Sequence, residues 1–396
     1  MGQMTKSSRI LTREGCRERL RRFWERVDRS IEWTLITEPA HQVYFANFYP
    51  SPFAFRSQNA RTILVLGRDG SAILIADNML TPYAQESYAT EVVTPVWYEC
   101  VESAQDRGTL LIQSALERLR TCPGTAFAFE ASSCPHGLIA GLESARGKLA
   151  LSDISAMLLE LRRRKLPDEV ALLRRSMLAA QAGLESAMLR ARPGMSELQV
   201  YLLVQQAASE FVGEQAIVYG DFVSGPQCAQ GGGSPSTRSI ESGDLVLLDF
   251  SVVLHGYRGD FANTFVCDGV PSPQVTAMYG ACEEAMAAGE KSLRAGVSGR
   301  AVDLAVRGVF QQHGLIENFP HHAGHGVGLG HPEAPFLVPQ SSDTLVAGDV
   351  LTLEPGLYIE NVGGVRIERN YLITDHGYEV LSHHPLRLEP TRVADE

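Results

Sequence analysis

Two kinds of hydrophobic spacing alternate along this chain, and they predict where its elements lie. An amphipathic Arg/Glu-rich run predicts a helix over about 13–28. The runs WTLIT, RTILVLG and SAILIAD follow, broken by Gly and Asp, and predict strands. Residues 12 to about 155 therefore read as a small α/β domain. The stretch AMLLELRRRKLPDE then reaches Pro167-Asp168-Glu169, a break followed by a helix start with acids in its first turn. A boundary near 160 is expected, giving domains over 1–160 and 161–396.

Beyond it, EVALLRRSMLAAQAGLESAMLRA has apolar residues at helical spacing and stops at Arg192-Pro193-Gly194. MSELQVYLLVQQAASEFV follows, with Ser196 placed to cap a second helix. The plan returns in LRAGVSGRAVDLAVRGVFQQHG, where Gly296 and Ser298 stand 102 positions after Gly194 and Ser196. A second repeat, GDLVLLD (Gly243 to Asp249) and GDVLTLE (Gly348 to Glu354), is offset by 105. Matching offsets in helices and strands imply an internally duplicated region whose halves pack about a pseudo-two-fold axis.

Each copy ends in a carboxylate followed by a hairpin pattern. After Asp249 comes FSVVLHGYRGD, with His255-Gly256 as turn chemistry, so Asp260 is expected opposite Asp249 on one face. After Glu354 comes PGLYIENVGGVRIE, which brings Glu368 back across a turn expected at Asn361 to Gly364. Arg258 and Arg366 each stand two residues before the second acid. Four converging carboxylates repel one another and raise each other's pKa unless a cation neutralises them. Two divalent ions about 3.5–4 Å apart, bridged by carboxylates and water, meet that need.

Between the hairpins, FPHHAGHGVGLGHPEAP carries His321, His322, His325 and His331 among glycines that permit close backbone approach. Imidazole beside carboxylates makes a site suited to Mn, Fe, Co or Zn rather than the all-oxygen cage of calcium.

Composition narrows the remaining classes. With 396 residues and 44% hydrophobic content the chain can bury large cores. A net charge of -11 opposes binding to nucleic acid or anionic membrane. No apolar run is long enough for a membrane span. The start has neither a signal-peptide core nor, with Lys6 in place of Ser or Thr, a myristoylation pattern, so a cytoplasmic location is expected. The seven cysteines are scattered and never spaced as CxxC, which points to reduced structural thiols.

These motifs resemble the creatinase, prolidase and methionine aminopeptidase family. LEPGLYIENVGGVRIE is similar to its second acidic hairpin and HHAGHGVG to its metal-histidine loop. The resemblance implies a pita-bread catalytic domain, an α/β (α+β) fold with pseudo-two-fold duplication, behind a creatinase-type α/β N-terminal domain. It also implies five ligands for two divalent ions (Mn, Co, Zn or Fe) at Asp249, Asp260, His325, Glu354 and Glu368. Glu354 would double as general base, taking a proton from the metal-bridging water that attacks the scissile carbonyl. His321 matches a substrate-contacting position, and His331 the histidine that polarises the carbonyl, six rather than the usual seven residues after the ligand. Arg366 matches an arginine that binds substrate carboxylate or orients the metal acids.

The implied function is metal-dependent hydrolysis of a small peptide or amide by an Xaa-Pro dipeptidase or aminopeptidase-like enzyme. A homodimer is expected, with the N-terminal domain, in the same chain or a partner, limiting substrate length. One departure keeps other readings open. Where relatives carry a histidine ahead of the first acidic hairpin, SGPQCAQGGGSPSTR has Gly232. A hydrolase or lyase acting on a small osmolyte-like compound is one alternative, and a non-catalytic binding module is another.

Overall fold

The computed structural model describes residues 11–50 and 61–389. Lys6 and the rest of the chain start lie outside the described residues. The chain divides into two compact units, Met1–Arg162 and Arg163–Glu396.

The first unit opens with α1 (Arg13–Arg26), whose N-cap Thr12 accepts the Gly15 N–H through Oγ1 at 2.9 Å. Then follow β1 (Trp33–Ile36), α2 (Pro39–Ala46), β2 (Ile63–Gly67), β3 (Ala72–Ile75), α3 (Thr81–Glu86) and β4 (Glu91–Val93). After these come α4 (Arg107–Leu119), β5 (Ala126–Phe129), α5 (His136–Arg146), β6 (Ala150–Asp153) and α6 (Ser155–Arg163). The strands form one mixed sheet in the order β4-β3-β2-β1-β5-β6. Alternate residues Trp33, Leu35, Ile63, Val65, Ile73 and Ile75 share a core with Leu111, Ala115 and Leu119 of α4 and with Leu138 and Leu142 of α5. Leu64, Leu66 and Leu74, pointing the other way, are buried too. Burial of both faces explains why these strands read as continuous apolar runs rather than alternating ones.

The second unit begins with α7 (Pro167–Arg190) and α8 (Glu197–Val212), then β7 (Ile217–Ser224), β8 (Leu245–Leu254) and β9 (Tyr257–Val266). Its second half has α9 (Pro273–Glu290) and α10 (Gly299–Gln312), followed by β10 (Gly324–Gly326), β11 (Glu333–Leu337) and β12 (Val350–Leu353). Then come β13 (Gly356–Ile359), β14 (Gly363–Arg366), β15 (Arg369–Ile373) and β16 (Tyr378–Val380). The duplication is visible in backbone pairing. Ser196 and Ser298, each accepting an N–H three residues on at 3.2 Å, cap α8 and α10. Ser196 bridges to Ser239 and Ser298 to Thr344, and Gly194 N donates to Ile240 O just as Gly296 N donates to Leu345 O. All four glycines of the two repeats, Gly194, Gly296, Gly243 and Gly348, hold positive φ between 86° and 97°, a conformation that side chains resist.

The first hairpin differs from expectation in register. His255 (φ 50°) and Gly256 (φ 86°) form a two-residue turn, so Leu254 pairs Tyr257 and Asp260 lies opposite Ser251. Asp249 faces Ala262 instead, and the two acids are diagonal neighbours on one face. In the second hairpin the loop is Glu360 to Val362, and Gly363 and Gly364 already belong to β14. Helix α7 sits directly on the β8–β9 hairpin. Gly259 N donates to Ser176 Oγ at 2.8 Å, and a Cβ at Gly259 would come within 2.8 Å of Met177 backbone nitrogen. A glycine is therefore required one residue before Asp260.

Candidate metal centre

A cavity of about 260 Å³ in the second unit gathers the acids of both hairpins. Carboxylate oxygens of Asp249, Asp260 and Glu368 lie within 4.8 Å of one another, and Asp260 also groups with His325 and His331. Glu354 groups with His321 and His322. His325 joins these sets, its Nε2 lying 3.4 Å from Glu354 Oε1 and 3.8 Å from Asp260 Oδ2. The structure thus brings all five residues predicted as ligands around one cavity, together with His331 and Arg366, whereas His321 does not line it and groups with His322 and Glu354.

Local backbone explains how each arrives. Strand β10 is squeezed between β11 and β12: a Cβ at Gly324 would meet Thr352 O at 2.0 Å, and one at Gly326 would meet Ala334 O at 2.2 Å. The Gly-His-Gly sequence is the consequence. A register shift beside His325 marks a bulge that turns the strand at the site. His325 Nδ1 donates to Gly326 O at 3.0 Å, which leaves Nε2 as a lone pair facing the acids. The His331 loop is fixed by a buried ion pair, Lys165 Nζ to Glu333 Oε1 at 2.6 Å, with Gly330 N donating to the other Glu333 oxygen at 3.0 Å. His331 Nε2 comes 2.6 Å from Asp260 Oδ2, and Ser251 Oγ donates to Asp260 Oδ1 at 2.8 Å.

Charge in the cavity is unevenly divided. Burial pushes Asp249 up to about 7, helped by the charges of Asp260 and Glu354 and opposed by Arg366. Glu368 rises well above the usual carboxylate range through burial and then through Asp260, Asp249 and Glu354. Burial also acts to raise Asp260 and Glu354, yet both are lowered. The hydrogen bond from His331, with His325 close by and a hydrogen bond from Ser251, outweighs burial at Asp260. The His322 hydrogen bond and neighbouring imidazoles do so at Glu354, which falls to about 2. Four acids therefore share the cavity with two driven toward the neutral form, and buried Glu368 Oε1 has no hydrogen-bond partner. Multivalent cation binding would relieve both features, and mixed carboxylate and imidazole donors suit a divalent transition metal.

Three neighbours of the ligands were not singled out by sequence reasoning. His322 Nε2 lies 3.0 Å from Glu354 Oε1, a contact that raises its pKa against the effect of burial. Nothing in the His-His pair told which member would face the acid. His321 instead donates through Nδ1 to His322 O at 2.8 Å, and burial lowers it to about 4. Its Nε2 accepts from Tyr358 Oη at 2.9 Å, and Tyr358 Oη accepts from Arg366 Nε at 2.7 Å. Arg366 also contacts Asp249 and Gly231 O. The third neighbour is Asp221, directly across β7–β8 from Asp249 and 3.5 Å from Arg366 Nη1. Its signal, an acid in YGDFVSG, gains meaning only once β7 is paired with β8.

Comparisons with known proteins agree with this geometry. Residues 171–375 match the model of metallopeptidase family M24, and residues 17–164 match the creatinase/prolidase N-terminal domain. An uncharacterized peptidase of Bacillus subtilis, YqhT, is 31% identical over 288 residues, 72% of this chain and 80% of the relative. The structure resembles an Xaa-Pro dipeptidase from Bacillus anthracis with a TM-score of 0.80 at 26% identity, covering 94% of this chain and 99% of that one. An X-Pro aminopeptidase from Thermotoga maritima shares the fold at a TM-score of 0.81 and 24% identity, over 94% and 98% of the two chains. Members of M24 use divalent metal ions, and the described residues offer donor groups for them. With its catalytic unit, its leading domain and a long-range match to named peptidases all in agreement, this chain belongs to metallopeptidase family M24 and is a metallopeptidase-type hydrolase.

Proposed function

We propose that this enzyme cleaves the amide bond of a small Xaa-Pro peptide, as a dipeptidase or aminopeptidase, with two divalent ions held by Asp249, Asp260, His325, Glu354 and Glu368. The observation that carries the reading is the set of four buried or half-buried acids and one imidazole lone pair around a single cavity. When bound, the ions would acidify water toward neutral pH and polarise the scissile carbonyl. Mn, Co, Zn and Fe all suit this donor set.

The remaining work falls to side chains. Glu354, held low by a hydrogen bond from His322, is an anion able to take a proton from the attacking water, and His322 orients its carboxylate for that role. His331, on the opposite side of Asp260 from Ser251, would be the side chain that donates to a developing oxyanion. His321, Tyr358 and Arg366 form a connected chain that would position the substrate, with Arg366 orienting Asp249. Burial of Asp260, Glu354 and Glu368 lowers the local dielectric, which strengthens each of these contacts. By the same family reading the enzyme works as a cytoplasmic homodimer, for which light scattering of the purified protein is the measure.

The test is hydrolysis of a panel of Xaa-Pro dipeptides and longer Xaa-Pro peptides by protein loaded with Mn or Co. Turnover of dipeptides alone assigns the dipeptidase activity. A metal-loaded protein that turns over none of the panel moves the assignment to a second reading. That reading, a related reaction on a small osmolyte-like compound, is favoured by Gly232 standing where the family resemblance implies a histidine.

A further inference from the structure

Gly232 is more than an absent side chain. A Cβ built there would lie 2.1 Å from Asp221 Oδ2 and 2.4 Å from its Cγ, so the Asp221 carboxylate fills the space that any side chain at 232 would need. The carboxylate is held from the loop, since Gly233 N donates to Asp221 Oδ1 at 2.9 Å. It is placed from the strand as well. Gly220 lets β7 press against β8, because a Cβ there would meet Asp249 O at 2.2 Å and Phe250 Cα at 2.5 Å. Asp221 then pairs directly with Asp249.

Like charges directly across two strands are unfavourable, so this arrangement calls for positive charge between them. Arg366 supplies part of it, but unequally. Its guanidinium contacts Asp249, Gly231 O and Tyr358 Oη closely, and reaches Asp221 only at 3.5 Å, the outer limit of a hydrogen bond. Asp221 keeps 36% of its side chain exposed on the wall of the cavity, where the other acids are buried or nearly so. A carboxylate accepts about four hydrogen bonds, and these two donors leave room for more.

We propose that Asp221, seated against Gly232, is a specificity-determining residue that receives a primary ammonium group of the substrate at the wall of the metal cavity. It rests on the reading of the cavity as the place where a small amide is bound. With no side chain at 232, the Asp221 carboxylate itself presents an anion on this wall. A cationic group gains a charge-assisted hydrogen bond there, whereas a carboxylate meets repulsion. The ammonium can come from a free amino terminus or from a lysine side chain, and both present the same chemistry to Asp221.

The experiment uses Mn-loaded full-length protein and three probes: alanyl-prolinamide, N-acetyl-alanyl-prolinamide and N-acetyl-lysyl-prolinamide. The first two differ only in the terminal ammonium, and the third carries it on the side chain alone. Dissociation constants come from calorimetry for any probe that is not turned over, and KM separately from kcat for any that is. Wild type is expected to prefer one ammonium-bearing probe over the acetylated alanyl probe by about tenfold or more. In Asp221→Asn, which keeps an acceptor for Gly233 N, that ratio is expected to fall toward unity through affinity. Gly232→Ala, whose methyl displaces the carboxylate, should reproduce the loss without touching the acid itself. The amino-terminal probe winning identifies a free terminus as the source, and the lysyl probe winning identifies a side chain. A ratio near unity in wild type, or one left intact by Asp221→Asn, overturns the proposal. Absence of turnover with the ratio and its loss still present would instead overturn the peptidase reading alone.

Discussion

Asp260 is the residue on which the cavity converges. It touches Ser251 and His331, faces His325, and shares a carboxylate cluster with Asp249 and Glu368. Its backbone is gripped too, since Asn370 donates to Asp260 O through Nδ2. Removing this side chain should take away a donor common to more than one group of ligands. Asp260→Ala is therefore expected to lose both bound transition metal, read by elemental analysis of the purified protein, and at least a hundredfold in activity, on the order seen when an essential electrostatic group is lost. Metal content equal to wild type would show that the ion is held elsewhere. The acid was legible from spacing alone, because a carboxylate two residues after an arginine recurs in both hairpins. Its partner across the ladder was not, since moving a two-residue turn by one position shifts every pairing by two, and only backbone dihedrals at His255 and Gly256 decide that.

At the scale of elements, the two halves use the same device to aim their strands. A serine caps a helix and its own backbone bridges to the loop that leads into the acidic strand. Ser196→Ala and Ser298→Ala should each cost about 1 kcal/mol, as loss of an N-cap typically does. Urea unfolding of each variant measures this, and a cost confined to one half would show that the caps have diverged in role. Around the first cap the helix start does further work. Glu197 accepts from Ser224 N at 2.7 Å, Ser224 Oγ at 2.8 Å, Ser236 N at 3.1 Å and Ser236 Oγ at 2.6 Å. One buried carboxylate at the helix N-terminus thus ties down both ends of the segment that carries Gly232. The helices and their caps were readable because period and capping are local properties. The Glu197 network was not, because its partners lie 27 and 39 residues away in the chain.

Across the whole molecule, two linked equilibria should be measurable. The acids of the cavity repel one another in the native state, and a divalent ion binds only when they are assembled. Adding Mn at about a hundred times its dissociation constant should therefore stabilise the protein by about 2.7 kcal/mol, seen as a rise in melting temperature that chelation reverses. An unchanged melting temperature would count against a built site. The second equilibrium concerns acid. Glu214 bridges Arg175 at 2.6 Å and His255 at 3.1 Å, joining α7 to the β8–β9 turn. Burial acts to raise its pKa, but the His255 and Arg175 contacts lower it from 4.5 to about 2. A lowered folded-state pKa gives stability that is present above 4.5 and lost as pH falls toward about 2. Glu214→Gln should consequently be less stable than wild type near neutrality, with the difference shrinking through that window. Denaturant midpoints between about pH 6 and pH 3 give the readout, and a difference that stays constant with pH would assign the loss to packing instead.

Sequence alone determined what is local or repeated: helix periods, caps, turn residues and a pair of acidic motifs at matching offsets. Those follow from interactions within a few residues, which any fold must respect. Which histidine faces Glu354, that Tyr358 links His321 to Arg366, and that Asp221 occupies the space above Gly232 were decided only when distant strands paired. Such contacts depend on register and on steric exclusion between segments far apart in the chain, and neither quantity is written in the spacing of the residues themselves.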